Sequence, residues 1–431
     1  MSKSFCSLVW NHQYVHTNGS FKYCCATNDK ILDKKGIPFH INNSSFDSVW
    51  NSDHMKNTRL EMIKGKTIPA CVKCNEQEEQ GYKSMRSVDN KEDYIRETNA
   101  DGSVNHSPHS AEIHFGNLCN LKCKMCSQNY SNQIGKELLE MGKDDPEWLN
   151  WVMKQSGNVN NWTNNLSVEY KWFKNPKIAH KLVEWISKNV TELSILGGEP
   201  TIIPEFWKIF EHCEQKGTLT GKEVTIVTNL TNINPRVKTW LPKLENWTIW
   251  ASIDGIGERT EYIRYPSNWN KIVENLNFYK SILKEKSNGK IVFSPAISIL
   301  NIDQLDDLLL WQLEFAEGKF NNNYNLSWMA QVWYPKMLNY DVAPNDYRLK
   351  IAEKLEKNKH KFDDTDEEFK NYYNSHITNL QQDKIEAKER KHLLESFVKY
   401  NDQQDRFRGK TTWRKLIPEL EQSITKYLSQ S

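Results

Sequence analysis

The stretch FGNLCNLKCKMCSQ, residues 115–128, sets three cysteines, Cys119, Cys123 and Cys126, into eight positions. Three residues separate the first pair and two the second, so one short loop can turn all three sulfurs toward a common centre. The run before them, AEIHF at 111–115, has strand character, which places the thiols on the loop beyond the C-terminal end of a strand. Parallel β/α sheets gather their chemistry on that side. One solution is zinc held by the three thiolates and an imidazole from His109 or His114. Against it, His114 lies within the strand, and Cys123 with Cys126 is the single Cys-x-x-Cys pair of this loop. The other is a [4Fe-4S] cluster. Such a cluster ordinarily takes four thiolates, so a three-cysteine loop leaves one iron open to a non-protein ligand.

Working outward, five further β-type runs follow: TELSIL, EVTIVT, WTIWASI, KIVFSPAISI and LSWMAQVW, between residues 191 and 333. Helical segments alternate with them. PEFWKIFEHCEQKG opens on Pro204 in a first-turn position and stops at Gly217, while Trp269, Ile272, Leu276, Tyr279 and Ile282 recur on one helical face. Six such units predict an open, partial (β/α)6 TIM-like barrel over 105–335. A Cys-rich module of residues 1–100 precedes it, and a charged helical extension, 336–431, follows. Between Cys126 and the second strand lies an insertion longer than a crossover helix needs, including NVNNWTNN, the segment nearest to low complexity.

Composition sets the class. The 431 residues suffice for a barrel and an accessory unit, and a net charge of +2 makes no electrostatic case for nucleic acid or an anionic membrane. No apolar run approaches the roughly 20 residues of a spanning helix, and the first residues lack a signal-peptide pattern. The expectation is a cytoplasmic protein. In that compartment nine clustered cysteines argue for metal over disulfides.

The Cys-x3-Cys-x2-Cys loop, followed at the end of the second strand by Gly197, Gly198, Glu199 and Pro200 (GGEP), resembles the radical S-adenosylmethionine superfamily. The resemblance implies a catalytic [4Fe-4S] cluster on Cys119, Cys123 and Cys126, whose open iron is chelated by S-adenosylmethionine. Reductive cleavage would then yield methionine and a 5′-deoxyadenosyl radical that abstracts hydrogen from a substrate. Gly197 and Gly198 lack a Cβ and let backbone approach a ligand closely. Thr228 and Asn229 in TNLTN, Ser252 and Asp254 in SIDG, and Arg264 in EYIRYP resemble family positions around the ribose and the methionyl carboxylate; each also reads as a cap, turn or ion pair. Ile297 and Ile299 would wall the adenine. Met125 stands where the superfamily often has an aromatic residue, and its thioether can fill that place.

Cys6, Cys24, Cys71 and Cys74 resemble the auxiliary-cluster module of the SPASM or twitch type, which in better-known members follows the barrel. A second [4Fe-4S] cluster is expected there, with four-thiolate zinc as the alternative. A hairpin around Asn18-Gly19 ends at Cys24 and Cys25, and the reading prefers Cys24 as ligand. Cys213 reads as an inert buried thiol, and His12 and His16 as ordinary strand residues. The tryptophans of PEWLNWVMKQ and NLSWMAQVWYP read as packing, or as the lining of a substrate channel. The resemblance further implies a peptide or protein substrate and an electron donor such as flavodoxin or ferredoxin. A small-molecule substrate, or a metal-stabilised binding protein without turnover, remains open at this point.

Overall fold

The computed structural model describes residues 5–27, 29–79, 84–88, 90, 92–155, 166–286, 288–320, 323–326 and 330–430. Its strands are β1 (His12–Val15), β2 (Phe21–Lys22), β3 (Ser110–Phe115), β4 (Glu192–Gly197), β5 (Glu223–Thr228), β6 (Asn246–Ala251), β7 (Gly289–Phe293), β8 (Ala296–Ile297), β9 (Tyr324–Leu326) and β10 (Ala330–Gln331). Eight form one sheet in the order β2-β1-β3-β4-β5-β6-β7-β9, and β8 pairs with β10 in a second. The six core strands of the expected open barrel are present in sequence order. β1 runs parallel to β3, β3 to β4, β4 to β5, and β7 to β9.

Two details depart from the sequence reading. KIVFSPAISI is divided between the two sheets, because Pro295 has no N–H for the ladder and ends β7. The sixth core strand begins earlier than LSWMAQVW, at Tyr324, and Ser327–Met329 lie outside the described residues, as does NVNNWTNN.

The chain divides into two compact units. The first comprises 1–119, 169–227 and 234–247. Here the hairpin forms as expected, with Tyr14 opposite Lys22 and Gly19 at φ +86°, and the N-terminal segment extends the sheet through β1. Tyr14, Glu112, Ser194 and Thr225 stand in register across β1, β3, β4 and β5. Arg59, fully buried, donates to the carbonyls of Val9 (3.0 Å) and Trp50 (2.9 Å), tying the N-terminal helices together. The helix Pro204–Gln215 buries Phe206, Trp207, Phe210 and Cys213, and Gly217 at φ +68° closes its end. Lys222 is buried and donates to the carbonyls of Ile186 (3.0 Å) and Val190 (2.6 Å), satisfying the C-terminus of the helix Pro176–Asn189.

The second unit comprises 120–168, 228–233 and 248–431. The insertion contributes two helices, Asn132–Asp144 and Pro146–Gln155. The helix Trp269–Glu285, capped by the Asn268 side chain, buries Ile272, Leu276, Tyr279 and Ile282 as its periodicity predicts. The C-terminal residues are helical, chiefly Asn345–Asn358, Glu367–Gln381, Ala387–Arg408 and Pro418–Gln430. Their apolar faces (Leu355, Tyr373, Phe397, Leu420) share one core with Ile134, Leu138 and Trp148 of the insertion. Among the described residues no helix is long and apolar enough to cross a membrane.

His12 lies in β1 and His16 just beyond it. Burial, reinforced by Lys22 and His114, pulls the His16 pKa down to about 3. The unfolded chain takes up this proton near the ordinary histidine pKa of about 6.5 and the folded chain does not. Its effect on stability is therefore absent above that value and grows as pH falls toward 3. Denaturant titrations are expected to show His16 contributing a loss of up to about 1.4 kcal/mol per pH unit over that window. His16→Gln should flatten the slope; an unchanged slope in that variant would contradict the assignment.

Candidate functional site

The glycine pair and the cysteine loop are built by different local rules. In the first unit, the loop leaving β3 meets the end of β4 backbone to backbone. Gly198 N–H donates to the Gly116 carbonyl at 3.1 Å, and Glu199 N–H donates to the Leu118 carbonyl at 2.8 Å. No side chain fits between them. A Cβ on Gly198 would overlap the Leu118 carbonyl oxygen, and one on Gly197, where φ is +134°, would lie 2.8 Å from Phe115 N. Glu199 is buried, and its Oε1 accepts from Thr201 N (3.1 Å) and Thr201 Oγ1 (2.7 Å). Pro200 begins the short turn that follows. Asn117, fully buried, accepts from Tyr170 N–H at 2.8 Å and pins the start of the loop.

The loop passes from the first unit to the second between Cys119 and Asn120. In the second unit it runs extended beside residues 263–265: Lys122 N–H donates to the Tyr265 carbonyl (2.6 Å) and Lys124 N–H to that of Ile263 (2.8 Å). A turn then closes with Cys126 N–H on the Cys123 carbonyl at 3.1 Å. Cys123 and Cys126 are half-buried. Burial raises both thiol pKa values, Cys126 to about 12, while the Arg264 guanidinium nearby pulls each of them down. Met125 is half-buried against the core of this unit.

Arg264 and Asp254 form a two-pronged ion pair, Nε to Oδ2 at 2.7 Å and Nη2 to Oδ1 at 3.0 Å. Asp254 is fully buried and also accepts from Ala296 N–H at 2.8 Å. Burial works against the Arg264 charge, but Asp254 and the neighbouring thiols outweigh it and raise the pKa, so the guanidinium stays charged. Thr228 accepts from Leu230 N–H (3.1 Å), helping hold Leu230 at φ +61°. Asn229 accepts from Thr231 N–H (3.0 Å) and donates to Asn120 Oδ1 (3.1 Å), linking the end of β5 to the cysteine loop. Ser252 N–H donates to the Thr228 carbonyl at 3.1 Å. Thr228, Asn229, Ser252, Asp254 and Arg264 thus fall in the same unit as Cys123 and Cys126. Ile297 and Ile299 are fully buried in its core.

Sequence reasoning missed the charged shell of the loop. Lys124, fully buried between Cys123 and Met125, places Nζ 3.0 Å from Asp405 Oδ1. Burial draws its pKa down to about 7, with Asp405 pulling the other way. Arg408 reaches the Lys122 carbonyl at 2.8 Å. Lys124 was visible inside CKMC, but its partners lie some 280 residues away.

In the first unit, Cys6, Cys24, Cys71 and Cys74 line one cavity with Leu8, Ala70, Met85 and Arg86. Cys25 does not line it. Cys25 is exposed as a residue, and Cys24 beside it adds to what raises its thiol pKa. Burial raises the pKa values of Cys6 and Cys71 to about 12; Cys6 also feels Cys24, Cys71 and Cys74, and Cys71 feels Cys24 and Cys74. Arg86, held by Glu78 (Nε to Oε1, 3.0 Å), supplies a neighbouring cation. Among the described residues no three His, Cys, Asp or Glu side chains are drawn together at the spacing of a single metal ion. Cys213 is fully buried on its helix, Trp148 packs in the core, Trp333 is 62% exposed, and Trp328 lies outside the described residues.

Residues 113–311 match the radical SAM superfamily, and residues 6–75 match an iron-sulfur cluster-binding domain, SPASM. Among curated proteins no relative matches. Similar solved structures include SuiB of Streptococcus suis bound to S-adenosylmethionine (15% identity, TM-score 0.33, 59% of this chain and 48% of that one). Another is anSMEcpe with bound AdoMet and Kp18Cys peptide (15% identity, TM-score 0.34, 56% of each chain). A third is SuiB bound to its precursor peptide SuiA (12% identity, TM-score 0.26, 73% and 72%). The chain spans about half the length of the SuiB chain in the first of these.

Gly198→Ala is expected to cost about 1–3 kcal/mol, the range of overpacking in a close contact. Thermal denaturation should show a lowered midpoint. A wild-type midpoint would mean that the two backbones do not approach as described.

Proposed function

We propose that this chain, which belongs to the radical S-adenosylmethionine superfamily, reductively cleaves S-adenosylmethionine and uses the resulting radical to abstract hydrogen from a peptide or protein. The observation that carries this reading is the glycine pair Gly197-Gly198 pressed against the start of a loop that ends in three cysteines. Cys119, Cys123 and Cys126 are the donors for a [4Fe-4S] cluster, and three thiols with no fourth on the loop fit a cage with one open corner. The bound cluster and cofactor supply one electron and a sulfonium whose C–S bond breaks to methionine and a 5′-deoxyadenosyl radical. The chain's own residues bind, orient and exclude water.

Gly197 and Gly198 leave backbone bare for the methionyl ammonium, with the carboxylate of Glu199 beside them. Arg264, kept charged by Asp254, offers a cation to a carboxylate. Thr228, Asn229 and Ser252 would border the ribose, and Met125 with Ile297 and Ile299 would supply the apolar side toward adenine. Cys6, Cys24, Cys71 and Cys74 hold the auxiliary cluster, a reading supported by their shared cavity and by the match to an iron-sulfur cluster-binding domain. The protonated thiols give up their protons when metal binds, so loading is favoured by raised pH. The peptide substrate and a flavodoxin- or ferredoxin-type donor are carried by the family resemblance.

Anaerobic reconstitution followed by dithionite and S-adenosylmethionine tests the reaction, with release of 5′-deoxyadenosine as the expected result. Cys123→Ala is expected to abolish that release with the far-ultraviolet circular dichroism unchanged; a variant that still cleaves the cofactor would overturn the assignment. A wild-type count of about eight irons per chain is expected for two cubanes, whereas about four irons with one zinc would assign the N-terminal site to zinc. Cys24→Ser should lose the N-terminal metal and Cys25→Ser retain it, and the reverse pattern would exchange the two.

A further inference from the structure

The helix Ala387–Arg408 of the C-terminal extension reaches the cysteine loop at two points that flank Cys123. On one side, Arg408 Nη2 donates to the Lys122 carbonyl at 2.8 Å, and the same guanidinium grips Glu137 through Nη2–Oε2 at 2.7 Å and Nε–Oε1 at 3.1 Å. On the other, Asp405 Oδ1 takes Lys124 Nζ at 3.0 Å and the Tyr262 hydroxyl at 2.9 Å, while Oδ2 accepts from Trp413 N–H at 2.9 Å. The Lys124 ammonium also lies over the Tyr262 ring, 4.4 Å from its centroid. Arg408, Glu137, Lys124 and Asp405 are each at most 4% exposed at the side chain.

A buried ion pair adds little net stability compared with apolar packing, so stability alone is a weak reason for four buried charges here. Position supplies a better one. Hydrogen bonds from the N–H groups of Lys122 and Lys124 to the Tyr265 and Ile263 carbonyls hold the loop backbone on either side of Cys123. Cys123 lies between two residues that the helix Ala387–Arg408 holds, and a cation is buried next to it. The reduction potential of an iron-sulfur cluster depends on nearby net charge and hydrogen bonding, and residues behind the ligands orient them.

We propose that Asp405 and Arg408 are positioning residues of the cluster: Arg408 holds the loop backbone at Lys122, and Asp405 anchors and neutralises the Lys124 cation beside Cys123. The inference rests on the cluster assignment above, and it makes the C-terminal extension a working part of the site.

The test uses the full-length chain, reconstituted anaerobically, as wild type, Asp405→Asn, Lys124→Met, the double variant Lys124→Met with Asp405→Asn, Tyr262→Phe and Arg408→Ala. The readouts are iron and sulfide per chain and a potentiometric titration near pH 6, following the electron paramagnetic resonance signal that S-adenosylmethionine perturbs. Asp405→Asn removes a negative charge and should move the midpoint to a more positive value, and Lys124→Met should move it the other way. The double variant should return close to wild type. Arg408→Ala should lose about half or more of the iron of this cluster, and Tyr262→Phe, which takes a hydrogen-bond donor from the Asp405 carboxylate and leaves its charge less compensated, should shift the midpoint in the same direction as Lys124→Met, by less.

Wild-type midpoints and wild-type iron in the folded single variants would overturn the inference while leaving the cluster assignment standing. A wild-type chain with no signal responsive to S-adenosylmethionine would overturn both. Should Asp405→Asn fail to fold, the shifts of Lys124→Met and, by less, Tyr262→Phe to more negative values still decide, and unshifted midpoints in those two would overturn the proposal.

Discussion

A loop that offers three sulfurs has no regular structure of its own to hold them, so its backbone must be held by others. That constraint governs the site. In the first unit the start of the loop is fixed by carbonyls that accept from Gly198 and Glu199, and the approach is possible only because Gly198 carries no Cβ. In the second, the N–H groups of Lys122 and Lys124 donate to Tyr265 and Ile263. Each of these bonds uses main-chain atoms, which are rigid compared with side chains.

The electrostatics follow from burial. Charged groups removed from water persist only when paired, and the second unit pairs them in sets: Arg264 with Asp254, Lys124 with Asp405, Arg408 with Glu137. Thiols in the same surroundings stay protonated, pushed up by desolvation and restrained by Arg264.

The N-terminal thiols pose a different problem. Drawn from three separate places in the sequence, Cys6, Cys24, Cys71 and Cys74 share a cavity that Cys25 does not line. The surrounding structure is held by other groups. Arg59 ties the N-terminal helices through buried hydrogen bonds, and β1 adds the segment to the sheet beside β3.

By itself the sequence determined the features that depend on near neighbours: the three-cysteine loop after a strand, the Gly-Gly pair, the Asn-Gly hairpin, and helices such as Pro204–Gln215 and Trp269–Glu285. Their signals are spacing, periodicity and backbone freedom, all readable within a few residues. The six core strands were legible for the same reason, although Pro295 split one and the last began ahead of its apolar run. Only the tertiary structure decided which of two adjacent cysteines enters the N-terminal cavity, since neighbouring side chains point apart and the choice is made by partners dozens of residues away. It alone likewise brought Asp405 and Arg408 to the lysines of the loop. Charge carries no range label in a sequence, and a buried pair nearly 300 residues apart is specified by packing of the intervening helices, which no local pattern encodes.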